Sequence, residues 1–186
     1  MDSILEELRG EIRALEEAVE RTPGAAELRG RLAKRYVLSQ DYGRAIEQYE
    51  HFVQLRPGDG AAWNNLGICY RRLNAFDQAV AAFENALQRN PRLLDAYTNL
   101  AEARDAQGDL PGAMAALERL LPLLPREGQV RTHDLLAGLS VRQQKNALAV
   151  QHLDRAIELA APDRQMQQVL IARRQKIQQL TDGQAR

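Results

Sequence analysis

The chain has 186 residues, of which 45% are hydrophobic, so it can fill a core, and its length favours one elongated domain over two. Its 25 basic and 25 acidic residues cancel, which gives no charge signature of nucleic-acid binding or of attachment to an anionic membrane. A single cysteine excludes an intramolecular disulfide, and no apolar run reaches the roughly 18 residues of a membrane span. Because the start of the chain lacks a secretion signal, we expect a cytoplasmic protein unless an N-terminal anchor or signal has been removed.

The first predicted element is an amphipathic helix over residues 3–21. Its apolar residues are spaced three and four apart, at Leu5, Leu8, Ile12, Leu15 and Val19. Within residues 1–21 there are seven acids and three bases, a net charge of −4. We expect this helix to be a half-repeat that covers one end of a stack.

From residue 26 onward, the same residue types recur every 34 positions. The recurring sets are Ala45, Ala79 and Ala113; Leu32, Leu66 and Leu100; Tyr49, Phe83 and Leu117; and Pro57, Pro91 and Pro125. After a slip of two residues within 126–129, the pattern resumes at Leu136, Ala149, Leu153 and Ala156. Self-similarity at this period predicts a solenoid of four units.

Each unit is predicted to be a helical hairpin. In the second unit, apolar residues fall at helical spacing on both sides of the short segment 72–75, which forces the two helices to run antiparallel. Pro57, Pro91 and Pro125 are expected to end the second helices, and Pro122 to shorten the one in the third unit.

The third and fourth units depart from the pattern. In the third, Arg104 replaces the expected aromatic residue, and in the fourth, His133, Ser140 and Asn146 stand where aromatic residues would pack. Because the stability of a repeat array is close to a sum over units and interfaces, we expect these two units to be looser than the second.

The last predicted element is an amphipathic helix over residues 163–180. Its apolar residues are Met166, Val169, Leu170, Ile177 and Leu180. Residues 163–186 hold five bases and two acids, a net charge of +3. This helix is expected to cover the last unit.

The second unit carries the residues that identify a family. Trp63, Leu66, Gly67 and Tyr70, followed by Ala79, Phe83, Ala86 and Pro91, resemble the tetratricopeptide repeat. The resemblance implies an all-α, right-handed superhelical solenoid of antiparallel helix pairs with about ten helices. The predicted divisions are a capping helix in 1–25, repeats in 26–59, 60–93, 94–129 and 130–162, and a capping helix and tail in 163–186.

We find no set of residues typical of an enzyme, a metal site or a cofactor site. His51, His133 and His152 lie on different predicted helices without metal-ligand spacing, and His51 and His152 are expected to be partly exposed surface residues. Cys69 has no candidate base nearby in sequence and is expected to be a buried, inert thiol. We therefore expect a non-enzymatic protein with no cofactor, no metal and no catalytic residues.

In the family that the chain resembles, the first helices line a concave groove that binds an extended or helical segment of a partner. By that resemblance, the groove-facing residues are Arg31, Lys34, Asn64, Asn65, Ile68, Arg71, Arg72, Asp95, Thr98, Asn99, Glu102, Asp105, Arg131 and Asp134. Asn65 and Asn99 lie 34 residues apart and can each grip a peptide group without regard to sequence. Asp95 and Asn99 stand where carboxylate-gripping relatives place lysine and arginine, which argues against that mode of binding.

Two functions remain at this stage. The first is a scaffold or adaptor that binds a protein or peptide segment in the groove, in complex assembly or chaperoning, with no nucleic acid and no insertion into a membrane. The alternative is a self-associating structural protein that forms homo-oligomers through the Leu5–Val19 seam and the oppositely charged terminal helices.

Overall fold

The computed structural model describes the backbone of residues 2–161 and 163–184 and the side chains of residues 4–161 and 163–181. This part of the chain forms ten α-helices and one short 3-10 helix, and contains no strand. The helices are α1 (Asp2–Arg21), α2 (Ala26–Leu38), α3 (Tyr42–Leu55), α4 (Gly60–Arg72), α5 (Phe76–Arg89), α6 (Leu94–Ala106), α7 (Leu110–Leu120), α8 (Arg126–Arg142), α9 (Asn146–Leu159) and α10 (Arg164–Gln184). The all-α class and the helix-pair architecture predicted from the sequence are confirmed.

The chain divides into two compact units, residues 1–107 and residues 108–186. In the first unit, α1 packs on α2, the hairpins α2/α3 and α4/α5 follow, and α6 packs on α5. Its core includes Leu32, Ala33, Tyr36, Leu66 and Cys69, together with Ile12, Leu15 and Val19 of α1. Most of the N-terminal apolar seam is therefore used inside this unit.

The turn within each helix pair has three residues and one recurring strained position. Left-handed φ angles occur at Gln40 (60°), Asn74 (58°), Gly108 (81°) and Gln144 (60°). These positions are 34, 34 and 36 residues apart, so the turn follows the sequence repeat. In the first turn, the Asp41 N–H donates to the Tyr36 carbonyl at 2.8 Å, which closes the end of α2 in the manner of a Schellman motif.

Prolines mark the boundaries between pairs. Helices α3 and α5 end two residues before Pro57 and Pro91, as predicted. Helix α7 ends already at Leu120, because Pro122 lies in the 3-10 helix that follows it, and Pro125 caps the start of α8 instead of ending α7.

The second unit contains α7, the hairpin α8/α9 and α10, which packs on α9. Its core includes Val130, Ala137, Leu153, Leu170 and Ile177. Helix α8 has 17 residues, whereas α2, α4 and α6 each have 13, so the slip in the repeat lies at the lengthened start of α8.

One of the positions of the fourth predicted repeat that lacks an aromatic residue lies in the core, and the lower stability expected for the third and fourth repeats stays a prediction. Ser140 is fully buried, and its hydroxyl donates to the Leu136 carbonyl at 2.7 Å. Leu136 is also fully buried, as Leu66 nearly is in the second repeat. The Ser140 hydroxyl can be buried because it has a hydrogen-bond partner inside the unit.

Candidate functional site

The predicted groove residues of the first unit lie on α2, α4 and α6. Arg31 and Lys34 of α2 are exposed, and no described side chain forms an ion pair with either. On α6, Asp95 is exposed, whereas Thr98 is half-buried, as is Ile68 of α4. The exposed ends of this face therefore carry opposite charges, basic on α2 and acidic on α6.

An amide pair joins α4 to α6. The Nδ2 of Asn99 donates to the Oδ1 of Asn64 at 3.1 Å. Asn64 is only 8% exposed, whereas Asn99 is half-buried. Sequence analysis paired Asn99 with Asn65, but the residue that it contacts is Asn64.

Asn65 contacts a different element. Its side chain is hydrogen-bonded to the hydroxyl of Tyr49 on α3, a buried tyrosine. Burial raises the pKa of Tyr49, the nearby Cys69 raises it further, and the bond from Asn65 acts in the opposite direction. Asn65 and Asn99 are thus each anchored to the preceding helix layer, and neither is a simple solvated side chain.

The central charges of this face neutralise one another. Arg71 of α4 and Glu102 of α6 form an ion pair, with Arg71 Nη1 2.8 Å from Glu102 Oε2. The neighbouring Arg72 lies over the ring of Tyr42, 5.9 Å from its centroid. Asp105 is half-buried near the end of α6. The predicted division into a basic half and an acidic half therefore holds only at the exposed ends.

The second unit contributes less to a ligand surface than the sequence predicted. Arg131 of α8 is exposed, but Asp134 forms an ion pair with Arg173 of α10. A Cβ placed on Gly138 would lie 3.3 Å from the guanidinium of Arg173. Helix α10 therefore covers α8 and α9, and the Asp134 carboxylate is used within the unit.

Sequence reasoning missed a pair of histidines in the second unit. The Nδ1 atoms of His133 on α8 and His152 on α9 are 3.2 Å apart, although the two residues were expected to lie apart on different helices. Comparison with the corresponding positions of another repeat could have predicted this contact. The first repeat has Arg29 and Gln48 at the corresponding positions, also 19 residues apart, and Arg29 Nη1 lies 2.9 Å from Gln48 Oε1.

Cys69 is fully buried, and burial raises the pKa of its thiol to about 11. A thiol that stays protonated is a poor nucleophile. Among the described residues, no group of three or more His, Cys, Asp and Glu side chains is placed to hold a metal ion. In that same part of the chain, no helix is both long and apolar enough to cross a membrane.

Two family models described as tetratricopeptide repeat match the chain, one over residues 60–93 and one over residues 95–121. The chain thus contains tetratricopeptide repeats (TPRs). A curated relative of similar extent is tetratricopeptide repeat protein 36 of Bos taurus, which is 27% identical over 136 residues, 72% of each chain. The peroxisomal targeting signal receptor of Eremothecium gossypii is 25% identical over 141 residues, 72% of this chain and 24% of the receptor.

Solved structures share the fold of this TPR protein. MamA superimposes with a TM-score of 0.76 at 23% identity over 86% of this chain and 92% of that one. YrrB, described as a TPR protein with an unusual peptide-binding site, gives a TM-score of 0.71 at 19% identity over 89% of this chain and 84% of that one. The chain covers only 10–35% of the length of the first curated relatives that it matches.

Proposed function

We propose that this TPR protein is a non-enzymatic scaffold that binds an extended or helical segment of a partner protein along the face formed by α2, α4 and α6. The observation that carries this proposal is the Asn99–Asn64 bridge between α4 and α6. It places amide groups, which both donate and accept, on two neighbouring first helices. Complex assembly or chaperoning is the role that we assign to such binding.

The amide pair keeps hydrogen-bonding capacity for a ligand. Their mutual bond uses one N–H of Asn99 and one lone pair of the Asn64 oxygen, so each side chain retains further donors and acceptors. Because the two amides are in direct contact, they offer adjacent donors and acceptors to a single stretch of ligand backbone.

The exposed charges favour a ligand of defined polarity. Arg31 and Lys34 on α2 attract acidic residues, and Asp95 on α6 attracts a basic one. The Arg71–Glu102 pair between them is already neutralised. The complementary ligand is therefore acidic where it meets α2 and basic where it meets α6.

Relatives support binding of a protein segment. The peroxisomal targeting signal receptor is named as a receptor for a targeting signal, and YrrB is described as having a peptide-binding site. Both share the repeat architecture with this chain, and we extend the shared theme of peptide recognition to it.

The test selects ligands from a phage-displayed library of random peptides on the immobilised full chain. We expect enriched peptides to bind Arg31→Glu plus Lys34→Glu about tenfold more weakly, since about 1.4 kcal/mol corresponds to a factor of ten. Arg9→Glu plus Arg13→Glu reverses two exposed charges on α1 and serves as the control. Alanine at Asn65 or Asn99 is less suitable because it also removes an internal hydrogen bond. Equal affinity for both double variants, or no enrichment, contradicts the proposal.

Self-association is a second candidate, favoured by apolar side chains left exposed on the terminal helices. Ile4 is 70% exposed, Val169 60% and Leu180 52%. However, the seam predicted to mediate stacking is mostly unavailable, since Ile12 is only 8% exposed. The charges at both ends are also partly used internally, in the pairs Glu11–Arg35, Glu16–Arg44, Arg173–Asp134 and Arg174–Asp154.

Sedimentation velocity at several concentrations tests this candidate. If the chain self-associates through its ends, Leu5→Glu plus Val169→Glu abolishes the concentration-dependent growth. Leu38→Glu changes another exposed apolar residue, 62% exposed on α2, and should leave the growth intact. A monomer at all concentrations removes the candidate.

A further inference from the structure

Two imidazole rings meet between α8 and α9. The Nδ1 atoms of His133 and His152 are 3.2 Å apart, and the ring centroids are 5.5 Å apart with planes inclined by 37°. At this separation, one Nδ1 carries a hydrogen and the other offers its lone pair. The contact therefore requires at least one ring to be neutral.

The other repeats show which residues the two histidines replace. The second repeat has Trp63 and Ala82 at the corresponding positions, and the third has Tyr97 and Ala116. Those repeats carry an aromatic residue and an alanine at these positions, and neither titrates near neutral pH. Only in the fourth repeat are both positions occupied by groups that titrate near neutral pH.

The surroundings resist a positive charge on the pair. Both histidines are half-buried, and burial is the largest cause lowering the pKa of each below its ordinary value. His152 and Arg155 lower the pKa of His133 further. Glu118 of α7 raises the pKa of His152, but this effect is smaller than that of burial.

No other described group compensates for added protons. The Nε2 of His152 is buried without a hydrogen-bond partner among the described residues. On the side of α10, the cations Arg173 and Arg174 are paired with the neighbouring carboxylates of Asp134 and Asp154. A second proton on the histidine pair therefore adds a charge that nothing nearby neutralises.

We propose that His133 and His152 form a proton-sensitive latch, which holds α8 against α9 at neutral pH and loosens this hairpin when both rings are protonated. The first proton is tolerated because an imidazolium can donate to the remaining neutral ring. The second places two N–H groups against each other and two positive charges on adjacent rings. The switch is local to the second unit.

The direction of the pH effect follows from linkage. A histidine whose pKa is lower in the folded than in the unfolded chain stabilises the fold above its ordinary value of 6.5. That contribution is lost progressively as the pH falls below 6.5 toward the lowered folded value. The hairpin should therefore open more readily in mildly acidic solution.

Hydrogen exchange of the full chain, measured by mass spectrometry from about pH 8 to about pH 5, tests the latch. After correction for the intrinsic pH dependence of exchange, peptides from α8 and α9 should open about tenfold more often at the acidic end. Peptides from α4 and α5 serve as the internal reference.

The matched variant is His133→Tyr plus His152→Ala, which installs the tyrosine and alanine of the third repeat. It should remove the acid-induced opening, whereas His51→Gln, at an exposed histidine on α3, should not. Titration of the His133 and His152 ring signals by NMR on the unmodified chain gives a readout that needs no variant. Ordinary titration of both rings, or the same acid-induced opening in the double variant, overturns the proposal.

Discussion

Replacing Gly67 by alanine tests a close contact between α4 and α5. An ideal Cβ at this position would lie 2.6, 2.7 and 3.0 Å from three ring carbons of Phe83 on α5. The Phe83 ring is fully buried, so it cannot move aside without disturbing the core. On helix propensity alone the substitution should be favourable by about 1 kcal/mol, so the two effects oppose each other.

The clash with Phe83 determines whether the substitution raises or lowers the free energy of unfolding. Overpacking of a well-filled core costs about 1–3 kcal/mol. We therefore expect Gly67→Ala to lose about 1 kcal/mol of unfolding free energy net, which lowers the melting temperature by about 2–4 °C in a chain of this size. Urea and thermal unfolding followed by circular dichroism at the helix band measure both quantities.

The third repeat supplies the compensating change. It has Ala101 and Leu117 at the positions of Gly67 and Phe83. In a double-mutant cycle, Phe83→Leu should relieve the clash, and the coupling energy should favour the double variant by about 1 kcal/mol. A Gly67→Ala variant as stable as the unmodified chain, or additive effects in the cycle, refutes the reasoning.

Three further predictions concern the turns and the thiol. Asp41 caps α3 by accepting from the Arg44 backbone N–H at 3.1 Å, whereas Ala75 has nearly the same φ and ψ but no side-chain cap, so Ala75→Asp should gain about 1 kcal/mol in urea unfolding. Gln144 has a left-handed φ of 60° where the third repeat has Gly108, so Gln144→Gly should gain about 0.5–1 kcal/mol in the same assay, and a loss contradicts the strain argument. Because the pKa of Cys69 is raised to about 11, its reaction with an aromatic disulfide reagent at about pH 8 should be about a hundredfold slower in the folded chain than in urea. Rapid labelling of the folded chain would show that the thiol is accessible.

Helix boundaries were predictable because local interactions set them. The left-handed turn residue and the proline recur with the sequence period, so the spacing of Ala45 and Ala79 locates two hairpins without any knowledge of the core. The same local argument placed the early end of α7 at Pro122. The prediction that Pro125 ends a second helix was wrong, because the lengthened α8 begins directly after that proline.

The candidate site was predictable only in part. The repeat placed Asn64, Asn65 and Asn99 on first helices, but periodicity does not specify which amide bonds to which neighbour. Asn99 reaches Asn64 and Asn65 reaches Tyr49, because contacts between layers depend on side-chain lengths and on helix offset. For the same reason, the ion pair between Asp134 and Arg173 could not be predicted from the charged residues in the sequence.

The sequence by itself determined the secondary structure, the pairing of helices and the tetratricopeptide repeat family, since these follow from periodic apolar residues and local turn chemistry. Tertiary structure decided which polar groups neutralise each other and which stay exposed. It brought His133 and His152 into contact across 19 residues and left Arg31 and Lys34 exposed on α2. Hydrogen bonds and ion pairs act over only a few ångströms, so they are set once packing has fixed the distance between helices.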